Sequence, residues 1–492
     1  MALTKDVISG LLEIGIRISS ETDINGLWED MLKILMKLTS CDAATFYILK
    51  DDALHFRITK NNTFGTEDGL GGSMPKLPPV ALDRSSVCAI SALDKKTIII
   101  DDVYNCTEHD LTGPRKYDAI TGYKTVSMLV VPMLDRGTET IGVLQLINAQ
   151  DENGNICSFS EDIVRIVESI ASQAAVTIEN VRYTEELREM FDSVVRLISA
   201  AVDERTPYNG SHTRHMAEYA ERWINSINSE SLALNGKERF SPGHRRELIS
   251  AVWLHDLGKL ITPLEVMNKM YRLLPEQQKD ISVRLGRIRL LSEIEYLKGH
   301  ISEETFMETK EETVNAAAIV DKANSCGFMT DEMLEKVRAL AEKTYTEENG
   351  DILPWILPEE LRMLEIRKGT LSAEEREIME RHVSLTDSLL SRLHFTKDMS
   401  NVRKWASCHH ELLNGSGYPE GLKGDEIPEE VRMITILDIF DALTADDRPY
   451  KPGMPTERAL GIITDMAERE QKLDPELVNS FKASCCWETA EK

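Results

Sequence analysis

The sequence holds no apolar stretch approaching the roughly 20 residues that cross a bilayer. Its opening, MALTKDVISGLLEIG, lacks the basic start of a secretory leader. A cytoplasmic protein with no membrane partner is the expectation. Positive charge is in deficit, because 57 Lys and Arg against 83 Asp and Glu leave a formal charge of −26. Phosphate backbones require a basic footprint, which argues against DNA or RNA polymers as partners. A small phosphorylated ligand remains open, since local cations or metal ions can neutralise it. The eight cysteines, at 41, 88, 106, 157, 326, 408, 485 and 486, form no zinc-type CxxC pair and read as reduced thiols. Histidine is scarce too, with 11 in 492 residues, so its placement carries weight.

At 492 residues the chain exceeds one hydrophobic core, and a length prior gives about three units. From Cys41 to Ala149, β-branched and aromatic runs (DAATFYILK, ALHFRITKN, KKTIIIDDVY, TVSMLVVPML, TETIGVLQLINA) alternate with turn residues and read as a sheet. Helical segments near Thr4–Ser19 and Gly26–Leu38 precede it, so an α+β domain is expected over 1–160. No Pro or Gly interrupts Ser160 to Ala201. There Ile163, Ile166, Val167, Ile170, Ala174, Ile178 and Val181 repeat every 3.5 to 3.6 residues, and the pattern continues through Leu187 and Val194. A joining helix over 161–202 follows, paired with its twin in a homodimer or packed on its own sheet. From Asp203 to the end nearly everything reads as helix, so 203–492 is expected to be all-α. Within it, about 270–367 is highly charged and leucine-spaced, as in antiparallel helices, with no residue of catalytic type.

Five histidines fall in suggestive company: His212 in NGSHTRH, His255 in WLHDLGKL, His382 in MERHV, and adjacent His409 and His410 in CHHELLNGSGYP. Asp438 lies within ITILDIFDALTADDRPYK. Neighbours on a helix point about 100° apart, so His255 and Asp256 cannot share one target from a straight face. They can serve a pair of ions, with Asp256 bridging through its two oxygens. Such bridges between ions ~3.5–4 Å apart are typical of phosphate-ester hydrolysis. Imidazole-rich ligation suits Fe, Mn, Zn, Ni or Co better than Mg or Ca. The remaining histidines read otherwise: His215 as supporting or surface, His244, His300 and His394 as solvated, and His55 and His109 as structural.

The series His212, His255-Asp256, Lys259, His382, His409-His410, Gly417-Tyr418-Pro419 and Asp438 resembles the HD-GYP subgroup of the HD phosphohydrolases. HHELLNGSGYPEGLKGDEIP is its most specific string, with FDALTADDRPYK and LDPELVNSF beyond it. The resemblance covers roughly Asp203 to Met270 and Lys368 to Phe481. It implies a metal-dependent phosphodiesterase acting on cyclic di-GMP or cyclic GMP-AMP, with iron or manganese as the metal. Carried over, one ion is held by His212, His255, Asp256 and Asp438, the other by Asp256, His382, His409 and His410. Lys259 contacts the scissile phosphate, Arg448 and Lys451 bind nucleotide phosphates, and Gly417, Tyr418 and Pro419 shape the substrate loop. Two departures stand out. The charged segment splits a stretch that would otherwise run from Asn268-Lys269 into Lys368-Gly369. Tyr208 stands where some members carry an acidic third-metal ligand, which favours two ions.

In the first half, IGVLQLINA, the loop at Gly154 and FSEDIVRIVESIASQ resemble a GAF sensor domain, with SVCAISALDKKTIIIDDVYN as its helix-to-strand passage. This implies a regulatory fold whose ligand is unknown; TKNNTFGTEDG only loosely echoes the cyclic-nucleotide-binding pattern. Two other functions stay open: a catalytically silent cyclic dinucleotide receptor, and a phosphohydrolase of another nucleotide.

Overall fold

Strand residues of opposite parity serve two different cores in the first half of the chain. The computed structural model describes residues 24–68, 78–136, 138–205, 210–445 and 453–488. By its internal contacts the chain divides into two units, Met1–Met190 and Phe191–Lys492. The first contains helix α1 (Ile24–Thr39) and strands β1 (Cys41–Lys50), β2 (Ala53–Asn61), β3 (Thr66–Asp68) and β4 (Val80–Ala81). It continues with α2 (Val87–Asp94), β5 (Ile98–Ile100), α3 (Thr112–Thr121), β6 (Met128–Leu134), β7 (Thr140–Gln150) and β8 (Ile156–Cys157). Strand order is β3-β2-β1-β7-β6-β5, with β4 on β2 and β8 on β7. Side chains alternate between faces with a period of two. Thus Phe46, Leu129, Val131, Leu144 and Leu146 meet α1 and the start of the long helix, whereas Tyr47, Met128, Val130 and Val143 meet α2. The five β-runs read in the sequence are all strands. The expected Thr4–Ser19 helix lies outside the described residues.

Helix α4 (Glu161–Asp203) is continuous for 43 residues. Its first turns bury Val164, Val167, Ile170, Ala171 and Ala174 in the sheet's own core, where Ile163, Ile166 and Ile178 also pack. The stripe readable as either a seam for a twin or a face for its own sheet is therefore the latter up to Ile178. Beyond it, Tyr183, Leu187, Met190, Val194 and Leu197 are exposed at alternating spacings of four and three.

In the second unit α4 is followed by α5 (His212–Asn235), α6 (Pro242–Leu254) and α7 (Leu264–Met267). Then come α8 (Pro275–Leu297), α9 (Glu303–Ser325), α10 (Asp331–Glu342), β9 (Thr344–Thr346), β10 (Ile352–Pro354) and α11 (Pro358–Leu364). The chain closes with α12 (Ala373–Glu380), α13 (His382–Leu390), α14 (Val402–Ser407), α15 (Glu429–Thr444), α16 (Thr456–Glu468) and α17 (Pro475–Ser484). Met216, Ala220, Trp223 and Ile227 recur at helical spacing on α5 and share one core with α6 and α14–α17. No helix among the described residues is long and apolar enough to cross a membrane.

Residues from Leu273 to Leu364 have a core of their own, including Leu285, Ile288, Val320, Val337 and Trp355. One departure from the all-helical expectation lies here. The antiparallel pair β9–β10 closes over Asn349-Gly350, with Gly350 at φ +91°, a left-handed conformation that suits glycine. Arg272, fully buried, ties the segment's ends together. Its guanidinium donates to the carbonyls of Ile366 (2.9 Å), Ala323 (2.7 Å) and Cys326. Two of these carbonyls sit at the C-terminal end of α9, where backbone dipoles favour a cation. Removing the fork would leave buried carbonyls unpaired. Arg272→Met should cost about 2–4 kcal/mol, seen as an earlier urea midpoint for this segment followed by hydrogen exchange.

Candidate metal centre

Four helix termini supply the imidazoles. Ser241 caps α6, with Pro242 at its first position, and the helix runs only to Leu254, where His255 closes it. Asp256 already lies outside, at φ −96° and ψ 11°, leading into a 3-10 turn over Leu257–Leu260. This break removes the straight-helix difficulty and lets both side chains face one centre. His212 and His382 are the first residues of α5 and α13. His409 and His410 follow the end of α14.

A helix leaves its last four carbonyls without intrahelical donors. Three of the histidines use one each: His255 Nδ1 bonds Val252 O, His382 Nδ1 bonds Met379 O, and His409 Nδ1 bonds Ala406 O, all at 2.7 Å. A carbonyl only accepts, so Nδ1 carries a proton in each ring and Nε2 is turned inward. His212 has the same orientation through a different partner, its Nδ1 lying 2.6 Å from Asp441 Oδ2.

Asp256 lies between two groups. Its Oδ2 is 3.3 Å from His255 Nε2 and 3.8 Å from His212 Nε2, while Oδ1 is 3.5 Å from His382 Nε2 and 4.0 Å from His409 Nε2. Asp438 spans the open side, with Oδ1 3.3 Å from His212 Nε2 and Oδ2 3.6 Å from His410 Nδ1. The Nζ of Lys259 donates to Asp256 Oδ2. His212, His255 and Asp256 form one set of converging ligand atoms, and His382, His409 and His410 another, each within 4.8 Å. Either could hold a metal ion.

The donor chemistry fits cations. His382 Nε2 and His409 Nε2 face each other at 3.4 Å, although both rings already carry their proton on Nδ1. Two lone pairs at that distance repel unless a cation lies between them. His255 Nε2 and Asp256 Oδ1 are buried without any hydrogen-bond partner, a costly state for polar atoms. Burial pushes His382 down, burial and neighbouring imidazoles push His409 well down, and burial brings His410 to about 4 against the pull of Asp438. Against its burial, Asp256 is held well below the usual carboxylate range by His255 and Lys259. Neutral imidazole and ionised carboxylate are the ligating forms. His212 differs, because Asp438 and Asp441 overcome burial and raise it to about 10.

Exposure is graded across the centre. The side chains of His255 and His409 are 0% exposed and those of His382 and Asp256 at most 5%, whereas Asp438, Lys259 and His410 reach 14%, 19% and 25%. A ligand entering from solvent meets the last three first. Beside them, the Tyr418 ring lies 4.8 Å from the His410 ring. Gly417 packs so closely that a Cβ there would sit 2.4 Å from Leu412 N and 2.5 Å from His410 O. Pro419 is exposed at the same loop. Arg448 and Lys451, expected as phosphate ligands, lie outside the described residues, as does Tyr208.

Sequence reasoning missed four supporting side chains. Asp441 is one helical turn from Asp438 on α15, a spacing that was available as a signal. Glu411, next to His410 and 2% exposed, accepts the backbone N–H groups of Glu420, Gly421 and Leu422 and so holds the loop after Pro419. Thr386 Oγ1 donates to His255 O and accepts from Gly258 N, and Thr435 Oγ1 donates to His409 O. His244, expected to be solvated, is a correction: it is half-buried between Phe240 and Trp405, with Nε2 2.7 Å from Glu430 Oε1. His300 and His394 are exposed, and His215 lies 3.5 Å from Asp441 Oδ1.

Residues 23–178 match the family described as GAF domain, and 354–477 the family described as HD domain. A 3'3'-cGAMP-specific phosphodiesterase 3 from Vibrio cholerae is 38% identical over 116 residues, 24% of this chain and 24% of that protein. The cyclic di-GMP phosphodiesterase response regulator RpfG from Xanthomonas campestris pv. campestris is 28% identical over 251 residues, 48% of this chain and 63% of that protein. A cyclic di-GMP phosphodiesterase from Thermotoga maritima is 36% identical over 116 residues, 24% and 30% of the two chains. The matched segments thus span less than two thirds of each relative.

Gly258 generates a test of the centre's construction. A Cβ there would lie 1.9 Å from His382 O and 2.8 Å from Thr386 N, both backbone atoms. Gly258→Ala should destabilise the protein by about 3 kcal/mol and weaken divalent-cation uptake at least tenfold. Thermal unfolding and metal titration measure the two effects.

Proposed function

We propose that this chain, a GAF domain followed by an HD domain, hydrolyses a cyclic dinucleotide, cyclic di-GMP in preference to cyclic GMP-AMP. The observation that carries the reading is the pair of facing, unprotonated Nε2 atoms of His382 and His409, with the two oxygens of Asp256 divided between the histidine groups. His212, His255, Asp256 and Asp438 hold one divalent ion; Asp256, His382, His409 and His410 hold the second. Imidazole-rich ligation suits several transition metals, and the resemblance to HD-GYP proteins narrows the reading to iron or manganese. Bound there, two ions supply Lewis-acid stabilisation of charge on the transferring phosphoryl group.

The protein's own residues do the rest. Lys259, partly exposed beside Asp256, presents a fixed positive charge to the scissile phosphate. Tyr418, with Gly417 and Pro419, walls the substrate's approach, and Arg448 and Lys451 bind the nucleotide's phosphates. Asp441 fixes the orientation of His212. The buried depth behind Asp256 excludes bulk water from the side opposite the entrance. Opening of one phosphodiester gives the linear dinucleotide, and a second cut gives GMP. The names of the relatives support cyclic dinucleotides as the substrate class.

In the same reading, residues 1–160 are the sensor, 161–202 the connecting helix and 203–492 the phosphodiesterase domain, with 270–367 inserted in it. The protein works in the cytoplasm as a homodimer, regulated by a small molecule at the GAF domain. The exposed stripe Tyr183, Leu187, Met190, Val194 and Leu197 supports the dimer, because alternating steps of four and three give the heptad seam of a coiled coil.

Asp256→Ala, which removes the carboxylate shared by both groups, should lower cyclic di-GMP turnover at least a thousandfold and reduce bound metal. Product chromatography and elemental analysis of anaerobically purified protein read both; wild-type turnover in the variant contradicts the assignment. Leu187→Glu should convert the dimer to monomer in sedimentation velocity, since two carboxylates would face each other in the seam. An unchanged oligomeric state rejects that interface.

A further inference from the structure

The C-terminal end of α4 is fastened to the turn that carries Asp256 and Lys259. Val195 and Val202 are buried there, and Ser199 Oγ donates to Trp253 O near the end of α6. Asp203 is buried and accepts a hydrogen bond from Thr213 Oγ1 at 2.9 Å, in the first turn of α5 beside His212. Its carboxylate interacts electrostatically with His212, His255, Asp256 and Lys259. Just beyond the helix, the half-buried guanidinium of Arg205 bonds three carbonyls of the same short segment: Lys259 O at 2.9 Å, Leu260 O, and Thr262 O at 3.4 Å.

A guanidinium presents its N–H groups in one rigid plane. Three carbonyls fixed to that plane cannot rotate independently of it. On its other side the same turn is held by α13, through Thr386 Oγ1 on Gly258 N and the close approach of Gly258 to His382 O. The turn therefore has two anchors. One belongs to the ligand-bearing helices, and the other to a helix that begins at Glu161.

We propose that Arg205 is a positioning residue through which the end of α4 holds Lys259 against Asp256, so that displacement of that helix end changes the rate of the reaction. This rests on the phosphodiesterase reading given above. Neither residue 205 nor residue 203 belongs to the ligand set or to the substrate loop. The device acts through the backbone of the 259–262 segment, not by contact with substrate.

The experiment compares full-length, manganese-loaded wild type with Arg205→Gln and Arg205→Lys. Amide hydrogen exchange across 256–262 should accelerate at least tenfold in Arg205→Gln, while helix α15 over 431–440 keeps its protection. The kcat for cyclic di-GMP should fall at least tenfold, with KM within twofold and metal content unchanged, and Arg205→Lys should recover part of both losses. Unchanged exchange at 256–262, acceleration spread equally over 431–440, or an unaltered kcat overturns the proposal. If wild type itself fails to cleave any cyclic dinucleotide, the phosphodiesterase reading falls, and the contrast in exchange alone still decides whether Arg205 holds the turn.

Discussion

The centre depends on one repeated bond, an imidazole N–H closing onto the last-turn carbonyl of the helix that precedes it. The carbonyls of Val252, Met379 and Ala406 are each left over by a helix that stops, and each fixes a histidine three residues later. The bond settles the tautomer and ring direction together. It also explains why the site assembles from helix ends: an imidazole in mid-helix would find those carbonyls already occupied. Thr386 and Thr435 extend the scheme by donating to His255 O and His409 O, so the backbone around each ligand is itself held.

Electrostatics then follows from placement. Imidazoles crowd against two ionised carboxylates in a volume sealed on one side, and Lys259 is the cation closest to Asp256 Oδ2 among the described contacts. Burial alone would neutralise the acids, but the neighbouring rings and the lysine reverse that tendency. The cost of the arrangement is visible in buried nitrogen and oxygen atoms that have no protein partner. Such atoms persist in a folded protein where something other than the chain completes their coordination.

Much of this was legible in the sequence, and the omissions have a common cause. Five histidines and two aspartates declare themselves because their residue types are rare or suggestive in company, and the five strands because alternation survives in the letters. What stayed hidden acts through the backbone. Thr386, Thr435 and Glu411 bond main-chain atoms, and no residue type at the other end of those bonds marks the partner. The two cores flanking the sheet were implicit in strand parity, yet parity does not say that α4 covers one of them. The apolar repeat of α4 looks the same whether it meets its own sheet or another helix. Only packing shows that the repeat serves the sheet as far as Ile178 and faces outward from Tyr183. The short β9–β10 hairpin was lost among charged residues whose composition also suits helix.

The segment between α7 and α12 leaves and rejoins the domain at nearly the same place. Thr370 Oγ1 reaches back to Lys269 O at 3.0 Å, and the buried Lys269 ammonium pairs with Glu375 at 2.6 Å. With both ends clasped, the excursion of about a hundred residues closes like a hairpin on a fixed hinge pin, and its length is nearly free to vary, since loop-closure entropy grows only logarithmically. Selection could thus add, trim or exchange this module, and give it surfaces of its own, while the distance between the histidines on either side of it stays the same.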